Sequence, residues 1–471
     1  MISFENVNKP SIKYTLLYKY VRLIHNYFFY GRYHVLHKER IPKDEPIVAI
    51  SNHQNGLSDA LGILFAFKKD GRYPVFIARA DIFKREIAAK ALRFLRIMPA
   101  FRAVDAGKEG LDGNDAIFNK SAQILSEDKG VVCLFPEAGH EDCHHLGTFK
   151  KGFARIAFSA AEAMNFEKPL KILPMSNHYM DYFGVRSKLI ITIGEPFSFE
   201  DLYETYKEHP QRAQKLLADR AREKVKELML DIEDLNLYEE YDAIRNAYNE
   251  ELVKKQGKSI SYFPNFLDAD KKIVASLDNF RKDDAEGFQT LMSQAKEYSR
   301  ILDKLHLRDW IFGKKLSWVW FLLRCLLAVF LIPIIVYGFV VNFIPFNAST
   351  LITRRIKDRM LHSSFHFAMG ALFTYPLWYF ISFVAARLIT GVWWIALLYL
   401  VSLPLSLVIY IHSKVIIGRQ YDRIRRFRLW FRGNPFYLRA AELRSEIIKT
   451  VASIEKKSVK ISFPLAWVSS V

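Results

Sequence analysis

The hydrophobic pattern divides the chain into stretches of different character. From Tyr33 to Phe199, short apolar runs alternate with segments whose apolar residues recur at helical spacing. Pro46–Ser51, Pro74–Ala78, Val131–Phe135, Lys171–Ser176 and Lys188–Gly194 read as strands. Ala60–Phe67, Ile82–Leu95, Asn114–Glu127 and Phe153–Met164 read as helices. Such alternation predicts an α/β domain, a mixed and mostly parallel sheet flanked by helices. Pro174, near the end of an apolar strand, predicts an edge strand or a bulge, because proline donates no ladder hydrogen bond. Ahead of this domain, Tyr14–Tyr33 reads as one amphipathic helix, either packed on the domain or lying in a bilayer interface.

Beyond Phe199 the pattern changes twice. Ser198-Phe199-Glu200-Asp201 starts a helix that ends at His209-Pro210. Gln211–Leu307 is densely charged with apolar residues at helical spacing, which predicts a helical region broken near Asn236, at Gly257 and at Pro264. Trp318–Phe346, Phe365–Ala386 and Val392–Ile411 are almost wholly apolar, and each is near or above the ~20 residues that cross a bilayer as a helix. Tyr337, Tyr375, Trp378, Tyr379, Trp393 and Trp394 add interfacial aromatics. The expected domains are therefore a helix over 1–35, an α/β domain over 36–200, a helical region over 201–315, membrane segments over 316–412 and a basic tail over 413–471.

Charge bears on topology. Lys304, Arg308, Lys314 and Lys315 precede the first apolar run; Arg354, Arg355, Lys357 and Arg359 follow it. The chain from Ile411 onward carries thirteen Lys or Arg against four Asp or Glu. All three regions favour the cytoplasmic side, which three simple crossings cannot deliver. Either Trp318–Phe346 bends back at Pro333 and the other two runs pair as a hairpin, or one crossing breaks the rule. The α/β domain is expected on the cytoplasmic side.

With 471 residues and a net charge of +18, the chain predicts several domains and an anionic partner: nucleic acid, anionic lipid or a phosphorylated substrate. No spacing of a nucleic-acid-binding module occurs, so nucleic acid is not expected. Cys133, Cys143 and Cys325 are scattered without disulfide or metal spacing, which fits a reducing compartment. His140, Glu141, Asp142, Cys143, His144 and His145 crowd a short loop too tightly for a structural zinc site; a solvated loop and no metal are expected.

The candidate chemistry lies where strands end. Ile47–Ser51 runs into Asn52-His53-Gln54-Asn55-Gly56-Leu57-Ser58-Asp59, an exposed turn of the kind in which open α/β sheets hold ligands. His53 and Asp59 can meet only across a turn, which Gly56 permits. A carboxylate on one imidazole nitrogen readies the other to take a proton from a hydroxyl. No serine sits in a nucleophile elbow, so direct attack by a substrate hydroxyl is favoured over an acyl-enzyme. Val131–Pro136 delivers Glu137 to the same edge, with Gly139 beside it. Lys150 and Lys151 precede a helix start, and Arg79 and Arg102 follow apolar runs; all four suit an anion such as phosphate.

In this order these stretches resemble the glycerol-phosphate acyltransferase family, which includes the bacterial lysophosphatidate acyltransferases. That family carries a His-x4-Asp block, an Arg-ended block, a Phe-Pro-Glu-Gly block and an apolar Pro block. They correspond here to His53 with Asp59, Pro99–Arg102, Phe135–Gly139 and Ile172–Pro174, over about residues 33–200. The extra residue between His53 and Asp59 resembles fungal glycerol-3-phosphate or dihydroxyacetone-phosphate acyltransferases, which also have membrane segments after the catalytic domain. Ala138-Gly139-His140 stands in place of Gly-Thr-Arg, which shifts the expected phosphate contacts to Lys150 and Lys151.

The resemblance implies acyl transfer from a thioester, acyl-CoA or acyl carrier protein, to a glycerol-phosphate hydroxyl in phospholipid synthesis. No further cofactor is implied. His53 would be the general base and Asp59 its orienter; Arg102, Glu137 and Gly139 would shape the acceptor site, and Pro174 would line the acyl side. Acylation of another lyso-lipid stays open. So does a transport module with a regulatory front domain, for which Arg324 and Arg387 are the intramembrane candidates. Oligomeric state is not legible.

Overall fold

The structure is a computed structural model. It describes residues 7, 9–67, 71–101, 113–127, 129–137, 139, 143–313, 318–358 and 361–461. The chain forms two compact units: Met1–Met229 with Asn347–Pro376, and Leu230–Phe346 with Leu377–Val471.

Among the described residues, the first unit holds one seven-stranded sheet. Its strands are β1 (Arg32–Leu36), β2 (Ile47–Ser51), β3 (Val75–Arg79), β4 (Ile97–Ala100), β5 (Val131–Leu134), β6 (Lys171–Tyr179) and β7 (Lys188–Ile193), in the order β1-β7-β6-β2-β5-β3-β4. All neighbours are parallel except β6 and β7, so the sheet is mixed and mostly parallel. The central strands are apolar on both faces because both faces are covered. Val48, Ile50, Val132 and Ile172 pack under helices Gly113–Ser126, Gly152–Ala163 and Pro210–Lys226. Ile47, Ala49, Cys133, Leu173 and Met175 pack on the opposite side against Phe29, Tyr30, the helix Gly56–Ala66 and Phe367.

Several sequence expectations change. The amphipathic helix ends early: α1 (Ile12–Leu23) runs into a single wide π-turn (Ile24–Phe29), and Arg32 already begins β1. One side of α1 packs through Tyr14 and Tyr18 on Phe65 and Tyr73, while Ile12, Leu16 and Leu23 stay exposed. Strands β1 and β4 fall outside the five apolar runs read as strands; both are edge strands, where one neighbour suffices. Pro174 proves not to mark an edge strand, because β6 lies between β2 and β7. Its carbonyl accepts from Gly194 N–H, and the paired register with β7 begins only at Met175. The missing N–H thus falls on the β7 side where pairing runs out, and costs no bond to β2.

The first unit also extends past residue 200. Ala213, Leu217, Ala221 and Val225 of the helix Pro210–Lys226 are buried in the same core as Val48, so the boundary falls at Met229. The second unit is helical. Its helices break at Leu235–Leu237, at Gly257 in a left-handed conformation, and at Pro264, which opens the next helix. The expected basic tail is instead ordered: Trp393–Phe431 continues well past the apolar run, and Ala440, Leu443, Ile447 and Val451 of the helix Pro435–Ile461 are buried. Trp318–Thr353 is one helix through Pro333 and Pro345, so the hairpin bent at Pro333 does not form. Among the described residues, three helices are long and apolar enough to cross a membrane: Val319–Thr353, Leu361–Thr390 and Trp393–Phe431. Within this unit, Asn342 joins Ser406 and Tyr379, and Tyr337 joins Ser402, all by side-chain hydrogen bonds.

Candidate active site

The apolar run of β2 ends at Ser51, and the chain turns before entering α2 (Gly56–Ala66). Gly56 adopts φ of 45°, the left-handed region that favours glycine. This brings Asp59, in the first turn of α2, back under His53. His53 Nδ1 lies 2.8 Å from Asp59 Oδ2, and the Gln54 and Asn55 N–H groups both donate to the same oxygen at 2.7 Å. Tyr179 OH donates to Oδ1 at 2.6 Å. A fully buried carboxylate is costly unless its oxygens are satisfied, and here four donors serve it. The Asp59 contact assigns the proton to His53 Nδ1 and the lone pair to Nε2. The exposed turn read from sequence is in fact mostly buried; Asn52, Gln54, Asn55, Ser58 and Asp59 are all inside, and the His53 side chain keeps 23% exposure.

Glu137 follows β5 and reaches the same edge. Its Oε2 accepts from His53 N–H at 2.5 Å and its Oε1 from Gly147 N–H at 2.7 Å. Both oxygens are engaged in backbone bonds, so Glu137 ties the His53 turn to the loop leading to Phe149, with which it also forms an isolated bridge. Burial pushes its carboxyl up to about 7, against the lowering pull of the two N–H groups. Phe135 stacks on the His53 ring with centroids 4.4 Å apart.

The remaining candidates are spread more widely. Arg79, exposed at the end of β3, forks onto Asp81 two residues on. Arg102 lies outside the described residues, as do Ala138, His140, Glu141 and Asp142. Gly139 and Lys150 are exposed; Lys151 Nζ reaches Gln211 at 3.3 Å. Pro174 is buried beside Ile50 in the sheet interior. His144 departs from the expected solvated loop: it is buried, stacked on His178 at 5.1 Å and joined to Tyr182 OH at 3.1 Å.

Sequence reading missed the partners supplied by the end of β6. Asn177 N–H donates to Asn52 Oδ1 at 2.7 Å, Asn52 Nδ2 to Asn177 O at 3.0 Å, and Asn177 Nδ2 to Ser51 Oγ at 3.0 Å. These buried amides zip the His53 turn to β6, and Tyr179 completes the join at Asp59. The signal was present: Ser176-Asn177-His178-Tyr179 ends an apolar strand in polar residues, as Ser51-Asn52-His53 does.

Residues 32–177 match the family model described as Acyltransferase. This region is an acyltransferase-family domain. The chain is 26% identical over 182 residues to "Glycerol-3-phosphate O-acyltransferase 2" of Saccharomyces cerevisiae, covering 38% of this chain and 23% of that protein. The chain is also 25% identical over 153 residues to "Probable 1-acyl-sn-glycerol-3-phosphate acyltransferase" of Mycoplasma pneumoniae, covering 32% of this chain and 53% of that protein. The matched lengths thus span about a quarter and about half of the two relatives. The match runs from β1 into β6; β7 and the helices after it lie outside the match.

Proposed function

We propose that the protein is a membrane-bound O-acyltransferase that moves a fatty acyl group from a thioester to a glycerol-phosphate hydroxyl in phospholipid synthesis. The observation that carries this is the His53–Asp59 pair, whose buried carboxylate accepts from His53, two backbone N–H groups and Tyr179. His53 Nε2 takes the hydroxyl proton as the hydroxyl oxygen attacks the thioester carbonyl. The tetrahedral intermediate collapses, the thiolate leaves, and the proton passes from the imidazolium to the departing sulfur. Asp59 holds the ring and stabilises the transient imidazolium. Glu137 positions the His53 backbone. Arg79, Arg102, Lys150 and Lys151 are the proposed source of phosphate affinity, with Gly139 in the acceptor loop and Pro174 toward the acyl side.

Membrane attachment is supported by the three long apolar helices and by the exposed apolar and basic positions of α1, including Leu16, Lys19 and Leu23. The catalytic domain is proposed to face the cytoplasm, where acyl-CoA or acyl carrier protein is available. The test is to assay membranes containing the full chain with glycerol-3-phosphate, dihydroxyacetone phosphate and 1-acylglycerol-3-phosphate against both donors. Transfer to at least one acceptor is expected. A folded His53→Ala protein with wild-type turnover would overturn the mechanism.

A further inference from the structure

The first unit is assembled from two pieces of chain separated by the first apolar helix. Phe367, of the helix Leu361–Met369, is buried in the acyltransferase core, 4.8 Å from the Phe29 ring and 5.6 Å from His25 between centroids. Tyr20 OH donates to Ala371 O at 2.6 Å. Leu361 and Ser364 press so closely on Gly56 that a Cβ there would lie 2.6 Å from Leu361 Cδ2. The chain after the first apolar helix is therefore on the same side of any bilayer as the catalytic site.

The chain before that helix is on this side too. Among the described residues ahead of Trp318, the longest apolar helix is Gly56–Ala66, whose 11 residues span only ~16 Å against a hydrocarbon core of ~30 Å. The helix Trp318–Thr353 thus begins and ends on one side. The end of the third apolar helix returns there as well. Arg308 donates to Asp422 at 2.7 Å, and Arg425 and Arg426 donate to the carbonyls of His306 and Ile311.

We infer that the apolar helices are embedded in the bilayer from the catalytic side only, so that the loop after Thr353 and the basic stretch after Ile411 both face that side. The first helix lies within the leaflet without crossing. Tyr375–Thr390 and Trp393–Phe431 form a hairpin turned at Gly391, and the 16 residues of its first arm reach only ~24 Å. An independent observation agrees. Lys304 and Arg308, then Arg354, Arg355 and Lys357, then Arg419, Arg423, Arg425, Arg426 and Arg428 all fall on one side, as the preference of Lys and Arg for the cytoplasmic face requires.

This inference rests on membrane embedding, so the experiment separates the two. The full chain, with Cys133→Ala, Cys143→Ser and Cys325→Ala, carries Glu208→Cys, Arg355→Cys or Arg432→Cys singly. Sealed vesicles are treated with a membrane-impermeant maleimide before and after detergent. The expected result is the same labelled fraction at all three exposed positions before detergent. Labelling of Arg355→Cys only from the opposite side, or only after detergent, while Glu208→Cys is labelled, overturns the inference. If the cysteine replacements unfold the protein, an epitope inserted after Lys357 in the chain with its native cysteines, read by antibody on intact and opened vesicles, distinguishes the same two outcomes. Release of the chain by a carbonate wash would overturn membrane embedding itself; retention with split labelling would overturn only the one-sided arrangement.

Discussion

At the scale of single residues, the site is a buried carboxylate that must be satisfied and a histidine that must be held. Tyr179 does both from a strand end remote in sequence. A hydrogen bond to a charged group contributes ~1.5–3 kcal/mol, so Tyr179→Phe should lower turnover by roughly tenfold or more. Unchanged turnover with lost stability alone would reduce Tyr179 to packing. His53→Ala should cost ~10²–10⁴-fold in kcat with the fold intact by circular dichroism.

Two buried groups near this site give opposite pH dependences. Burial raises Glu137 from its ordinary 4.5 to about 7, so the folded state binds the proton more tightly. Its contribution is fully present below pH 4.5 and is lost as pH rises to 7, by ~3 kcal/mol. Burial lowers His25 from 6.5 to about 4, so its contribution is present above pH 6.5 and is lost as pH falls to 4. The two largely offset each other. His25→Phe should remove the acid-sensitive term, and the variant should then gain stability relative to wild type as pH falls from 6.5 to 4. Denaturant titrations of both proteins across that range measure this; parallel curves would refute it.

At the scale of elements, the strand–turn–helix around His53 depends on a glycine for two reasons. Gly56 has positive φ, and Leu361 and Ser364 fill the space where a Cβ would stand. Gly56→Ala should therefore destabilise the acyltransferase domain by more than the ~1 kcal/mol of backbone strain alone, and lower activity with it. Phe367→Ala should cost ~3–5 kcal/mol by opening the core at Phe29 and Tyr30. Thermal unfolding in detergent gives both values, and a Phe367→Ala protein as stable as wild type would show that the helix Leu361–Met369 is not part of the domain.

The elements also show what periodicity can and cannot reveal. Central strands β2, β5, β6 and β7 were legible because strands buried on both faces read as continuous apolar runs. β1 hid behind an aromatic-rich helix, and nothing local marks where the π-turn ends and extended backbone begins. Pro174 misled for a related reason. A ladder bond can be dispensed with inside a sheet where the neighbouring strand stops, and only the register shows where that is.

At the scale of the whole molecule, the acyltransferase domain is completed by chain that follows an apolar helix of 36 residues. A chain ending at Gly313 would leave Phe29, Tyr30 and Gly56 without Phe367, Leu361 and Ser364. It should be more sensitive to protease than the full chain even in detergent, a comparison that pulse proteolysis makes directly. Equal resistance would mean that the domain closes without residues 347–376.

Strands β2, β3, β5, β6 and β7 with the helices between them, a glycine turn across which His53 and Asp59 could meet, and the apolar C-terminal helices were all legible in the sequence alone. Each follows from local rules: the period of burial, the freedom of glycine, and the length of apolar helix that lipid accepts. The tertiary structure decided which groups satisfy Asp59, that Glu137 serves backbone N–H groups at two turns, and that residues 347–376 belong to the catalytic core. The deciding contacts, Tyr179 to Asp59, Glu137 to His53 and Phe367 to Phe29, join residues from tens to hundreds of positions apart. They arise because buried polar groups take their partners from whichever strand end or helix lies beside them in the fold.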